Sequence, residues 1–291
     1  MTSTRRTPSA KISAVVSDVD GTLVTDEKVL TERSQAAVAE LRAAGIVFTI
    51  ISSRPPRGMR MLLEPLGITT PIGSFNGGVI ATSALVTISE HLLPLDVARL
   101  AIDMIVAQGA APWVFSGQDW LVRHADEPYI ARERRTVAFE PTVVDDFGPF
   151  LGEVTKIVGA GSDFERLARC EAELQAALAG QATVARSQPY YLDITHLRAN
   201  KGEALSEIAK LLAVPLTEIA VIGDGRNDVA MFKRSGLSIA MGNASPEVRQ
   251  AADFVTGSNC DDGFAHAVDR IILGSERLNA PAAPAREGSP A

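Results

Sequence analysis

The sequence predicts an α/β protein: a doubly wound parallel-sheet core with an α+β domain inserted into it. Three observations carry this. Short, near-continuous apolar runs alternate with helical stretches over the first 83 residues, the pattern of a parallel sheet covered on both faces. The same alternation returns near the C-terminus. Between them, over residues 84–190, the pattern changes to hairpin-like strands with isolated helices, and both tryptophans sit there.

Each element has its own signal. Ala14-Val15-Val16 reads as a short buried strand. From Thr31 onward Ala37, Val38, Leu41 and Ala44 fall at helical spacing, and Gly45 ends the stretch where a left-handed residue belongs. Residues 46–51 read as a second buried strand, 57–66 as a helix stopped by Gly67, and 72–75 as a third strand running into Asn76-Gly77-Gly78. In the middle region residues 95–107 and 164–178 look helical. Residues 113–115 and 120–122 look like hairpin strands, and 153–158 and 183–186 like further strands. Helix 201–212, strand 219–222, helix 229–234, Gly236 and strand 237–241 then restore the core pattern. Ser245-Pro246-Glu247 opens a last helix, with serine as the cap and proline at the first helical position. The expected division is therefore a discontinuous core over 1–83 and 191–274, an inserted cap over 84–190, and a disordered tail over 275–291, rich in Pro, Ala and Ser.

Composition narrows the function classes. A chain of 291 residues with 46% hydrophobic and 22% charged residues can bury a sizeable core. Its net charge of −7 argues against nucleic acid as a partner held by bulk electrostatics. An acidic chain that binds an anion must concentrate positive charge locally or borrow it from a metal. Cys170 and Cys260 lie far apart, which leaves no disulfide framework or zinc spacing. The N-terminal MTSTRRTPSAK lacks the apolar core of a signal peptide, and no segment approaches a membrane span. The expectation is a cytoplasmic protein with no nucleic-acid or membrane partner; oligomeric state is not legible.

The chemistry begins at Asp18 and Asp20. In an extended chain residues i and i+2 point to the same side, so both acids project from the carboxyl end of a strand, where open α/β sheets hold their ligands. Two crowded acids invite a divalent cation or shared proton chemistry. Asp-Gly after a strand is also a common turn signal, and DVDGT alone reads equally well as a turn. Three further polar clusters follow apolar strands or open helices: Ser52-Ser53-Arg54, Lys201, and Gly223 to Asp228 as GDGRND.

Together these clusters resemble the haloacid dehalogenase superfamily, and within it the Cof-type phosphatases with a large α+β cap. DVDGTLV resembles the first motif, ISSRP the second, Lys201-Gly202 the third and GDGRNDVAMF the fourth; FNGG and MGNASPEVRQAADFVT also match this branch. The resemblance implies a Rossmann-like core and a Mg²⁺-dependent phosphatase acting on a small phosphorylated metabolite, a sugar phosphate foremost. It implies Asp18 as nucleophile forming an aspartyl-phosphate, Asp20 as general acid/base, and Lys201 as the cation that offsets Asp18 and phosphate. The implied Mg²⁺ ligands are Asp18, the Asp20 backbone carbonyl and Asp224, with Asp228 orienting Lys201 or metal-bound water. Ser52, Ser53, Arg54, Asn76, Gly77 and Asn227 would bind phosphate or substrate, although Asn76-Gly77 reads equally as a turn. Ser53 stands where the family usually has glycine. In the cap, Trp113, Trp120, Arg123 and Lys156 are candidates for specificity. Asn243 reads as part of the turn before the Ser245 cap, and His124 and His196 as solvated or core residues. A phosphomutase or phosphotransferase of the same fold, and a non-catalytic phosphometabolite-binding protein, remain as alternatives.

Overall fold

The structure, a computed structural model, describes residues 11–274. The tail expected over 275–291 and most of the basic N-terminal stretch lie outside the described residues. Strand β1 (Ala14–Ser17) leads to α1 (Glu32–Ala43), which starts where the Thr31 side chain accepts a hydrogen bond from the Ser34 N–H. Strand β2 (Val47–Ile50) follows, then a 3-10 turn and the single helical turn α2 (Arg60–Leu63). The helix expected over 57–66 is thus shorter: Pro56 and Gly58 leave its first turn 3-10, and Pro65 stops it just after Leu63. Next come β3 (Ile72–Ser74), β4 (Val79–Ala81), β5 (Thr87–Glu90), α3 (Leu95–Ala107), β6 (Ala111–Ser116) and β7 (Asp119–Val122). They are followed by α4 (Ile130–Val137), β8 (Thr142–Val143), β9 (Val154–Ala160), α5 (Phe164–Ala177), β10 (Ala182–Gln188) and β11 (Tyr191–His196). The last elements are α6 (Lys201–Leu211), β12 (Ile219–Gly223), α7 (Val229–Phe232), β13 (Leu237–Ala240), α8 (Pro246–Ala251), β14 (Phe254–Val255) and α9 (Gly263–His266), which continues as a π-helical turn.

These elements form two compact units. The first comprises residues 11–52, 62–72 and 201–274 of the described chain. Its sheet has the order β14-β13-β12-β1-β2, and every pairing in it is parallel. The strands are buried throughout their central members, as their apolar runs require. The register sets Ser17 opposite Ile222 on one side and Ile50 on the other, so three strands end together. Residues 72–75 do not add a strand to this sheet, as the sequence had suggested. β3 belongs to a separate sheet of order β3-β4-β5, and Phe75 enters a 3-10 turn. Pro71 lacks an amide for a ladder at this point. The first unit instead holds the segment by side chains, Thr49 to the Pro71 carbonyl at 2.5 Å and Thr70 to the Phe48 carbonyl at 3.1 Å.

The second unit comprises residues 53–61 and 73–200 and has a six-stranded sheet of order β10-β11-β9-β6-β7-β8. Val97, Ala101 and Ile105 of α3 and Leu167, Cys170 and Leu174 of α5 share a core with Val114, Ile157, Leu192 and Ile194 of the sheet. The expected boundary at 190/191 cuts an antiparallel hairpin, because β11 pairs with both β10 and β9. The unit therefore runs on to residue 200 and begins earlier than residue 84. Trp113 and Trp120 are fully buried and meet edge to face at 5.2 Å, with Phe115 and Tyr191 against them. They are core aromatics rather than specificity residues. Lys156 is buried and paired with Asp193 at 2.8 Å, whereas Arg123 is exposed beside Phe147. His124 is exposed, and His196 stacks on His91 at 5.3 Å. No helix among the described residues is long and apolar enough to cross a membrane.

Candidate active site

Parallel pairing brings the acids together. β1 and β12 lie side by side, so the residues that follow them, Asp18 and Asp224, leave the same edge of the sheet. The Asp18 amide donates to the Ile222 carbonyl at 2.9 Å, fixing the point of departure. On the other side the Ile51 amide donates to the Ser17 carbonyl at 2.9 Å, which places buried Ser52 at the end of β2 beside the Asp18 turn. Gly21 has φ +80, and a Cβ there would collide with the Asp224 carboxylate. Only glycine allows the loop after β1 to turn this close to the loop after β12.

Lys201, the first residue of α6, is completely buried and donates to both Asp18 Oδ1 and, at 2.6 Å, Asp228 Oδ1. A cation at a helix N-terminus is disfavoured by the macrodipole; here two carboxylates compensate. The other oxygen of Asp228 accepts the Asp224 and Gly225 amides at 2.9 and 2.8 Å. Asp228 thus ties the lysine to the loop that carries Asp224. The close packing of α6 on α7 depends on Gly202, where a Cβ would come within 2.7 Å of the Ala230 carbonyl.

Asp224 is held by the Thr22 hydroxyl at 2.9 Å and the Asn243 side-chain amide at 3.3 Å; Asn243 also donates to the Gly21 carbonyl at 2.9 Å. Neither residue stood out as a site residue in the sequence. Asn243 is more than a turn residue, and the signal that could have found it is its place in the MGNAS segment already matched to the family. Thr22 lies inside the first motif itself.

The cluster has too much negative charge. One oxygen each of Asp18, Asp224 and Asp228 lie within 4.8 Å of one another, and Lys201 answers only one of the three charges. Burial and the neighbouring Asp228 and Asp224 push the Asp18 carboxyl well above its ordinary range, although Lys201 opposes them. Burial and Asp228 likewise raise Asp224, against the Thr22 hydrogen bond. Burial works to lower Lys201, but Asp18 and Asp228 outweigh it and raise that group overall. Two uncompensated charges on an all-oxygen donor set suit a hard divalent cation such as Mg²⁺. Asp228 is buried and shares its oxygens among Lys201 and two amides, whereas Asp18 has a second oxygen beyond its Lys201 bond and Asp224 is only half-buried; these two are the better placed to face an ion.

The remaining predicted residues fall in three places. Asp20 turns its carboxylate toward Lys28, at 2.9 Å. Asn227 is exposed in the 3-10 turn that ends at Asp228. Arg54, Ser53, Asn76 and Gly77 belong to the second unit. There Arg54 is buried and donates to the Gly58 carbonyl at 3.3 Å, Ser53 is half-buried, and Phe75, Asn76 and Gly77 form a turn in which all three have positive φ.

A family model described as haloacid dehalogenase-like hydrolase matches residues 15–268. The chain is 25% identical over 262 residues to a 5-amino-6-(5-phospho-D-ribitylamino)uracil phosphatase of Bacillus subtilis, covering 90% of this chain and 96% of that one. It is 28% identical over 232 residues to an HMP-PP phosphatase of Escherichia coli, covering 80% and 85% of the two chains. A solved haloacid dehalogenase-like hydrolase from Bacteroides thetaiotaomicron superposes with a TM-score of 0.82 at 30% identity, covering 90% of this chain and 100% of that one.

Proposed function

The chain belongs to the haloacid dehalogenase-like hydrolases, and from that membership we propose that it is a phosphoric monoester hydrolase acting on small phosphorylated metabolites, sugar phosphates foremost, through an aspartyl-phosphate on Asp18. One observation supports this best: a buried Asp18–Lys201–Asp228 chain beside an Asp224 that is held in place, with two negative charges left over.

In this reading an Asp18 oxygen attacks phosphorus, and the bond from phosphorus to the leaving oxygen breaks as Asp20 gives that oxygen a proton. Asp20 then takes a proton from the water that cleaves the aspartyl-phosphate, which regenerates Asp18 and releases phosphate. Lys201 offsets the charge of the nucleophile and of the incoming phosphoryl group. Asp228 keeps Lys201 there, and Ser52 offers its hydroxyl to a phosphoryl oxygen. Mg²⁺ would be held by Asp18, the Asp20 backbone carbonyl and Asp224, and when bound it supplies charge neutralisation and orientation of the phosphoryl group. We place the enzyme in the cytoplasm, which accords with its two free thiols.

The test is a phosphate-release screen over sugar phosphates, nucleotides, phosphoglycolate and vitamin-related phosphates, with and without EDTA. The reading expects release from small phosphomonoesters that stops with EDTA, returns with Mg²⁺ and is absent in Asp18→Asn. Full metal-free activity, or turnover by Asp18→Asn, would contradict it.

A further inference from the structure

Asp20 stands apart from the other acids. Its Oδ1 lies 2.9 Å from the Lys28 ammonium, and the two side chains are 24% and 33% exposed. The chain holds that lysine with some care. An isolated bridge joins Asp20 to Val24, and Leu23 and Val24 are buried. The following loop closes on itself, with the Lys28 amide donating to the Thr25 carbonyl at 2.9 Å and the Thr25 amide to the Val29 carbonyl at 3.0 Å. Lys28 adopts φ +66 in that loop, a conformation costly for a residue other than glycine. Buried Asn259 braces the loop from a distant part of the sequence, donating to the Val24 carbonyl at 3.1 Å and to Asp26 Oδ1 at 3.0 Å. A lysine that served only solubility would need none of this.

The metal-free cluster is net negative, so the Asp20 carboxylate, two residues from Asp18, is drawn toward it only once a divalent ion is held there. Drawn into that cluster it would become another ligand and lose its access to a leaving group. We propose that Lys28 is a positioning residue that holds the Asp20 carboxyl out of the anionic cluster and leaves it able to exchange a proton with the departing oxygen. This rests on the reading of Asp20 as general acid, and the experiment separates the two claims.

The test compares kcat/KM for glycerol phosphate and p-nitrophenyl phosphate, in Mg²⁺ buffer, for the wild type, Asp20→Asn, Lys28→Met and Lys28→Arg. This parameter reports transition-state stabilisation relative to free enzyme and substrate, through cleavage of the ester bond. An alkoxide needs a proton as it leaves; a nitrophenolate does not. Asp20→Asn is expected to lose about 10²–10³-fold on glycerol phosphate and far less on the aryl ester. Lys28→Met is expected to show the same selectivity at about tenfold, and Lys28→Arg to restore the wild-type ratio. Because the ratio is read within one preparation, a partly unfolded variant does not imitate the effect. If Asp20→Asn is selective but Lys28→Met lowers both substrates equally, or neither, the Lys28 proposal fails and the role of Asp20 stands. If Asp20→Asn itself lowers both equally, the general-acid reading fails and the proposal with it.

Discussion

At the scale of single residues, Asp228 shows how the site is built. Every hydrogen-bond partner of its carboxylate described here is a donor: Lys201 on one oxygen, the Asp224 and Gly225 amides on the other. An asparagine has one acceptor oxygen and one donor nitrogen, so it must set a donor against a donor on one side. Asp228→Asn should therefore lower stability by about 3 kcal/mol, the cost of breaking a buried ion pair, in a urea unfolding titration. It should also lower kcat at least tenfold, because Lys201 is no longer shared. An unchanged unfolding midpoint would show that Asp228 does not anchor the lysine. The sequence made Asp228 visible by its spacing from Asp224. It could not show that Thr22 and Asn243 converge on Asp224, because one of those contacts spans 202 residues and nothing local marks it.

At the scale of elements, the parallel core was legible because each of its strands is a short apolar run between helices, as in β1, β2, β12 and β13. The misreadings have physical reasons. A three-residue strand such as β3, with Ile72 its one large apolar side chain, carries no information about its partner. In β11 polar Asp193 and Thr195 alternate with buried Leu192 and Ile194, which says that one face packs without saying on which domain. The contact of α6 with α7 was hidden inside a motif read for chemistry. Gly202→Ala would place a methyl group 2.7 Å from the Ala230 carbonyl. The two helices must separate, at a cost of about 1–3 kcal/mol, and Lys201 moves with α6. The variant should lose both stability and kcat/KM, with Lys201 still present; wild-type stability would mean that the helices yield without strain.

At the scale of the whole molecule, an enzyme of net charge −7 must bring an anionic substrate to three clustered carboxylates, two of them buried. It does so with one buried lysine and, in our reading, a metal. Mg²⁺ should therefore stabilise the folded chain, by about 2.7 kcal/mol at a hundredfold excess over its dissociation constant. Asp224→Asn removes one crowded charge and keeps an oxygen for Thr22; the bond it loses, from Asn243 at 3.3 Å, is long and weak beside that relief. It should raise the metal-free melting temperature and abolish the rise produced by Mg²⁺. A variant that is less stable without metal, yet still responds to Mg²⁺, would place the ion elsewhere. The covalent role of Asp18 is tested most directly by the mass of the intact protein after rapid acid quench during turnover, with the modified peptide identified. One added phosphoryl group is expected, on Asp18, and absent from Asp18→Asn. Turnover with no phosphoryl group on Asp18 during the steady state, together with phosphate release by Asp18→Asn, would contradict it.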